Sequence, residues 1–142
     1  MELEERDKNL YITEPNRQRL ESILEYAQTS NAQQRENLAR LMEDLDRANV
    51  VESCDIPPDV VTINSKVQLR DLDSGTEITF TLVYPTGADA SQDRISVLAP
   101  IGSAVLGYRS GNVIEWNVPA GKRRFKIEKI LYQPEANGDF DR

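Results

Sequence analysis

Apolar residues recur with a helical period in the first third of the chain and with a strand period in most of the rest. Leu20, Ile23, Leu24 and Ala27 fall at i, i+3, i+4 and i+7, which sets all four on one face of a helix. Thr13-Glu14-Pro15 marks its start, because threonine suits an N-cap while acid and proline suit a first turn. Thr29-Ser30-Asn31 breaks the pattern with turn residues, and Leu38, Leu41, Met42, Leu45 and Ala48 then make a second stripe. Two amphipathic helices joined by a short polar turn predict an antiparallel helical hairpin, a short coiled coil with its apolar seam inward. Each arm of about 15 residues would span roughly 22 Å.

Residues 50–58 read as a linker ending in Pro57-Pro58, which disfavours helix. Beyond it the period changes to two. Val60–Ile63, Lys66–Leu72, Glu77–Tyr84, Arg94–Ala99, Asn112–Val118 and Arg123–Tyr132 are strand candidates, with turns at Asp73-Ser74-Gly75 and Pro119-Ala120-Gly121. Ile101–Tyr108 reads as a short helix closed by glycine, and residues 134–142 as a polar, acidic tail. The predicted architecture is α+β: a helical hairpin over residues 1–50, then an antiparallel sheet domain of about five strands with a short helix over 51–142.

Composition narrows the chemistry. The 142 residues include no histidine, which removes Ser–His and Cys–His nucleophilic schemes and His/Cys zinc sites. One cysteine, Cys54, permits no intrachain disulfide and fits a reducing compartment. It lies beside Glu52 and Asp55, whose charge opposes thiolate formation, and reads as an ordinary thiol. The net charge is −7 and uneven: residues 1–56 hold thirteen acids and seven bases, residues 57–142 eleven and ten. An acidic half argues against phosphate-driven nucleic-acid binding and permits a partner protein with a basic face. The N-terminus has no apolar signal region and no run is long enough to span a membrane, so a soluble, cytoplasmic protein is expected.

The stretch Ser96–Trp116, SVLAPIGSAVLGYRSGNVIEW, holds Gly102, Gly107 and Gly111. A phosphate loop needs closely spaced glycines followed by Lys-Ser/Thr, and a dinucleotide fingerprint needs G-x-G-x-x-G after a strand. Neither is present. Gly107 reads as the cap of a short helix and Gly111 as the entry to a tight turn. Ala99-Pro100-Ile101-Gly102 forms a stiff, partly apolar bend at a strand end, for which the residues alone leave a binding role and a structural role equally open.

The segment SVLAPIGSAVLGYRSGNVIEWNVPAGKRRFKIEKILY resembles the C-terminal domain of the bacterial GreA/GreB transcript-cleavage factors. Their pattern is roughly S-x-x-S-P-I-G-x-A-L-L-G-x-x-x-G-D, a strand, P-x-G and a last strand. Ser96, Pro100, Ile101, Gly102, Ala104, Leu106, Gly107, Gly111, Pro119 and Gly121 match it. Ala99, Val105 and Asn112 stand where the pattern has serine, leucine and aspartate. DVVTINSKVQLRDL, TLVYP and LYQPEANGD resemble one branch in particular, the regulator of nucleoside diphosphate kinase (Rnk) subfamily. The resemblance implies a sheet domain like that of FK506-binding proteins, docked on RNA polymerase at the rim of its secondary channel. The docking residues it implies are Ala99, Pro100, Ile101, Gly102 and Ser103.

In that family a long coiled coil enters the channel, and two acids at its tip help hold a catalytic magnesium of the polymerase. Hard cations take oxygen ligands, so paired carboxylates suit that task. Here the expected tip, Gln28–Gln34 with Thr29, Ser30 and Asn31 at its centre, contains no acid. The nearest acids, Glu25 and Glu36, read as solvated helix charges. The expectation is therefore a non-enzymatic regulator that binds RNA polymerase and competes with Gre factors without cleaving RNA. It would have no metal or cofactor of its own and no sequence-specific DNA contact. The competing readings are an active cleavage factor using Glu25 and Glu36 and, on fold resemblance alone, a prolyl isomerase. Lys122, Arg123, Arg124, Lys126 and Lys129 form a basic patch that could meet RNA or an acidic polymerase surface but equally suits a solvated sheet face, and is read as the latter. Trp116 reads as core.

Overall fold

The computed structural model describes residues 10–27, 32–118 and 121–134. A short strand, β1 (Tyr11–Ile12), leads into helix α1 (Glu14–Tyr26), and helix α2 (Ala32–Asp46) returns to a second short strand, β2 (Asn49–Val50). Thr13 occupies the N-cap position of α1 with extended backbone, but its side chain makes no capping bond. Instead the first turn is held by Glu14, which accepts bonds from Arg17 and Gln18, with Arg17 reaching on to Glu21. Glu14 is thereby held below the usual carboxylate range, chiefly by its bond with Arg17.

The two helices pack on each other. Leu20, Leu24, Leu41 and Leu45 are buried, and Ile23, Leu38, Met42 and Ala48 pack half-buried around them. The turn joining the helices lies outside the described residues. The β1–β2 pair was not foreseen. It is parallel, with Asn49 N–H donating to the carbonyl of Leu10 at 2.8 Å and Val51 N–H to that of Ile12 at 3.0 Å. Two-residue strands carry no period that a sequence pattern could reveal.

The connection after β2 holds a 3-10 turn, Ser53–Asp55. The expected strand at Val60–Ile63 is absent. Val60, Val61, Thr62 and Ile63 are all buried, and four buried residues in a row cannot lie in a sheet with one wet face. The segment instead runs through the core, tied to Gly107 and Tyr108 by Val61 and closed by the Thr62 and Ser65 hydroxyls 2.8 Å apart.

The main sheet comprises β3 (Lys66–Asp71), β4 (Glu77–Val83), β5 (Arg94–Ser96), β6 (Val113–Val118) and β7 (Gly121–Tyr132), in spatial order β5-β4-β3-β7-β6. The sheet is mostly, not wholly, antiparallel, because β5 runs parallel to β4. The crossover between them is built of two 3-10 turns, Pro85–Gly87 and Ala90–Gln92. Strand β7 bulges at Glu128: Leu69 opposes Ile127 and Gln68 opposes Lys129. The extra residue lets Ile127 and Ile130, three apart, both pack toward the core.

Helix α3 (Pro100–Val105) follows β5 and packs against α2 and β6. One continuous core joins Leu20, Leu24, Leu41 and Leu45 of the helices to Val67, Leu69, Phe80, Leu82, Val105, Ile114, Phe125 and Ile127. Gln133, buried just past β7, donates from its amide nitrogen to the carbonyls of Pro57 and Val60 at 2.8 and 2.7 Å. That staple ties the last strand to the connection after β2.

Candidate docking site

The bend Ala99–Ser103 is the first turn of α3. Its approach is a hydroxyl turn: Ser96 Oγ accepts the N–H of Leu98 at 3.0 Å, and the Ser96 carbonyl accepts the N–H of Ala99 at 3.0 Å. Ala99 then takes the N-cap position in extended backbone, with no side-chain cap, and its carbonyl receives the Ser103 N–H at 2.9 Å. Pro100 opens the helix, where its fixed φ and missing N–H are suited.

The five candidate residues divide by exposure. Gly102 and Ser103 are buried, whereas Ala99 and Ile101 are half-buried. The side chain of Pro100 lies outside the described set. Gly102 has a steric duty: a β-carbon there would collide with the Ser96 carbonyl and stand 3.1 Å from Leu82 Cδ1. The glycine lets the helix start press directly on the end of β5. Among the described side chains of this turn, Ala99 and Ile101 are the accessible ones.

The other glycines hold the backbone roles expected of them. Gly107 follows the helix with φ +89° and abuts Leu10, 3.2 Å from where a β-carbon would stand. Gly111 has φ +94° in the turn before β6.

Thr29, Ser30 and Asn31 lie outside the described residues, as does the side chain of Trp116. Glu25 and Glu36 are exposed. Among the described residues no cluster of three or more Asp, Glu, Cys or His side chains could hold a metal ion, and no helix is long and apolar enough to cross a membrane.

One junction was not anticipated. Tyr84, buried at the end of β4, donates its hydroxyl to Asn16 Oδ1 at 2.9 Å, and the Arg19 guanidinium stacks 4.0 Å above its ring. These contacts bind α1 to the sheet. Residues 68 apart in sequence make the bond, so no local pattern could have revealed it.

A helical arm rooted on a mostly antiparallel sheet, with an S-x-x-x-P-I-G helix start at its edge, is the architecture of the GreA/GreB transcription elongation factors. Residues 56–132 match the family described as "Transcription elongation factor, GreA/GreB, C-term", and the chain belongs to that family. Its N-terminal residues 8–51 match the family described as "Rnk N-terminus", which puts the chain in the Rnk branch. It is 43% identical over 101 residues to the regulator of nucleoside diphosphate kinase of Escherichia coli K12, covering 70% of this chain and 74% of that protein. Identity to the transcription elongation factor GreA of Clostridium acetobutylicum is 38% over 93 residues, 66% of this chain and 59% of that one. Among solved structures, the prokaryotic transcription elongation factor GreA/GreB from Nitrosomonas europaea superposes with a TM-score of 0.73 at 40% identity, covering 87% of this chain and 98% of that one.

Proposed function

We propose that this chain is an RNA polymerase-binding transcription regulator that docks at the rim of the secondary channel through its sheet domain and competes with Gre factors without promoting RNA cleavage. The observation that carries the docking half is membership in the GreA/GreB family, whose matched segment contains the intact Pro100-Ile101-Gly102 helix start. Ala99 and Ile101 supply its accessible contact surface.

The non-cleaving half rests on the arm. Helices of 13 and 15 residues reach only about 20–22 Å. The expected tip, residues 28–34, contains no carboxylate with which to hold a hard cation. The name of the Escherichia coli relative, a regulator, fits the same reading. A protein working on RNA polymerase works in the cytoplasm, and its domains are residues 1–50 and 51–142.

The test is capture of bacterial RNA polymerase by the wild type, Ala99→Arg and Pro100→Ala, each checked for folding by circular dichroism, together with a cleavage assay on backtracked complexes. Folded variants that capture polymerase at least tenfold more weakly, with no cleavage above background, support the proposal. Equal capture by both variants removes the helix start from the docking surface. Strong cleavage that disappears in Glu25→Ala or Glu36→Ala establishes the cleavage-factor reading instead.

A further inference from the structure

We propose that the open face of the sheet is an electrostatic steering surface for a carboxylate-rich protein partner; given the docking reading above, on which this rests, that partner is an acidic patch of RNA polymerase. The sheet has one face against the core and one in water, and register decides what the wet face carries. Lys66 and Arg70 on β3 stand beside Lys126 and Lys129 on β7, and Lys122 and Arg124 continue the β7 row. The wet face of β3, β4, β6 and β7 thus holds six cations against three carboxylates, Glu77, Glu115 and Glu128, in a chain whose net charge is −7.

Those three carboxylates are already engaged. Arg70 takes Glu77 at 2.9 Å and Glu128 at 3.0 Å, while Glu115 stands 3.9 Å from Lys122. Arg124 leans on Asp73 of the β3–β4 turn at 3.7 Å. Lys66, Lys126 and Lys129 are exposed and form no ion pair among the described residues. Gln68 faces Lys129 across the ladder and lies two residues from Lys66, so the Lys66 and Lys129 stems rise roughly 7–8 Å apart. An acidic helix repeats its carboxylates every four residues, about 6 Å, close to the roughly 7 Å between alternate residues of a strand.

A nucleic acid fits this face less well than a protein. No large aromatic ring of the described residues lies exposed on it for base stacking, and the chain's net negative charge opposes a dense polyanion. Unpaired lysines at the surface raise the rate of encounter more than they strengthen the final complex.

The test is association kinetics of the full-length chain with bacterial core RNA polymerase, for wild type and a Lys66→Glu/Lys126→Glu/Lys129→Glu variant. A Lys→Gln triple covers the case in which charge reversal upsets folding. The expected result is association about tenfold slower for the reversal variant at about 0.1 M salt and nearly equal to wild type at about 1 M, where the screening length falls from about 10 to about 3 Å. Dissociation should change less than twofold. Equal association of wild type and both folded variants at low salt overturns the inference while leaving polymerase docking intact. A wild type that fails to bind polymerase overturns both. A labelled oligoribonucleotide run in parallel separates the other polyanion: RNA binding lost in the variants with polymerase association unchanged overturns the inference in favour of a nucleic-acid face.

Discussion

Gly102 in α3 presses so closely on the carbonyl oxygen of Ser96 that no β-carbon fits between them. The neighbour is backbone, fixed by its bond from the Ala99 N–H, so it cannot swing aside as a side chain would. Gly102→Ala should therefore cost about 1–3 kcal/mol, as overpacking does, and lower Tm by about 2–12 °C for a domain of this size. Thermal denaturation checks this. An unchanged Tm would mean that α3 can slide off β5 freely. The same contact makes large Gly102 substitutions unsuitable for mapping a docking surface, because lost capture would report lost folding.

Ala99→Ser should stabilise the protein. Ala99 is an N-cap residue with φ −68° and ψ 152° and no side-chain acceptor for the first-turn N–H groups. A serine oxygen in that geometry is worth about 1 kcal/mol. Chemical denaturation should show a higher midpoint with an unchanged slope, since the exposed surface does not change. A lower midpoint would mean that the half-buried site has no room for the hydroxyl.

The Asp71–Arg123 ion pair predicts a pH dependence. Asp71 is buried; it accepts the N–H groups of Asp73 and Ser74 and pairs with Arg123, which also lies over the Phe125 ring. The bond from Arg123, helped by the two backbone donors, holds its carboxyl below the usual value. A carboxyl depressed in the folded state favours folding above its unfolded value of about 4. That contribution fades as pH falls through the folded value. Melting across the acid range should show the wild type losing its advantage over Asp71→Asn as pH drops below about 4. A constant difference at all pH values would remove the pair as its source.

The Tyr84–Asn16 bond predicts coupling between arm and sheet. Tyr84→Phe removes the hydroxyl donor and should cost about 1 kcal/mol, and Arg19→Ala about 0.5–1 kcal/mol for the lost stacking. In a double-mutant cycle, Tyr84→Phe and Asn16→Ala should be non-additive. Strict additivity would mean that the bond carries no energy between the two parts.

The elements that could be read from sequence were those with a sustained period. Leu20, Leu24, Leu41 and Leu45 mark the buried helix faces, and the alternation of β3 and β4 survives into burial because one face of the sheet stays wet. The period is lost where that condition is not met. Val60–Ile63 is buried throughout and forms no strand, and β5 pairs in parallel through a crossover whose direction no alternation encodes. At the candidate site, the positive φ of Gly107 and Gly111 was legible because glycine at a helix end or turn has few other uses. The burial of Gly102 was not, since its constraint comes from a carbonyl six residues upstream. The basic patch was visible as composition, but only cross-strand register separated its engaged cations from the lone ammonium groups.

The chain enters and leaves its helical arm side by side, through the parallel contact of Tyr11–Ile12 with Asn49–Val50. Everything between those strands is an excursion that begins and ends at one place on the body. Whole turns added or removed at the far end, beyond Leu24 and Leu41, would leave that entry point and the core beneath it unchanged. The clasp of four residues, together with the Tyr84–Asn16 bond, thus fixes the direction in which the arm leaves the body, whatever the arm's length.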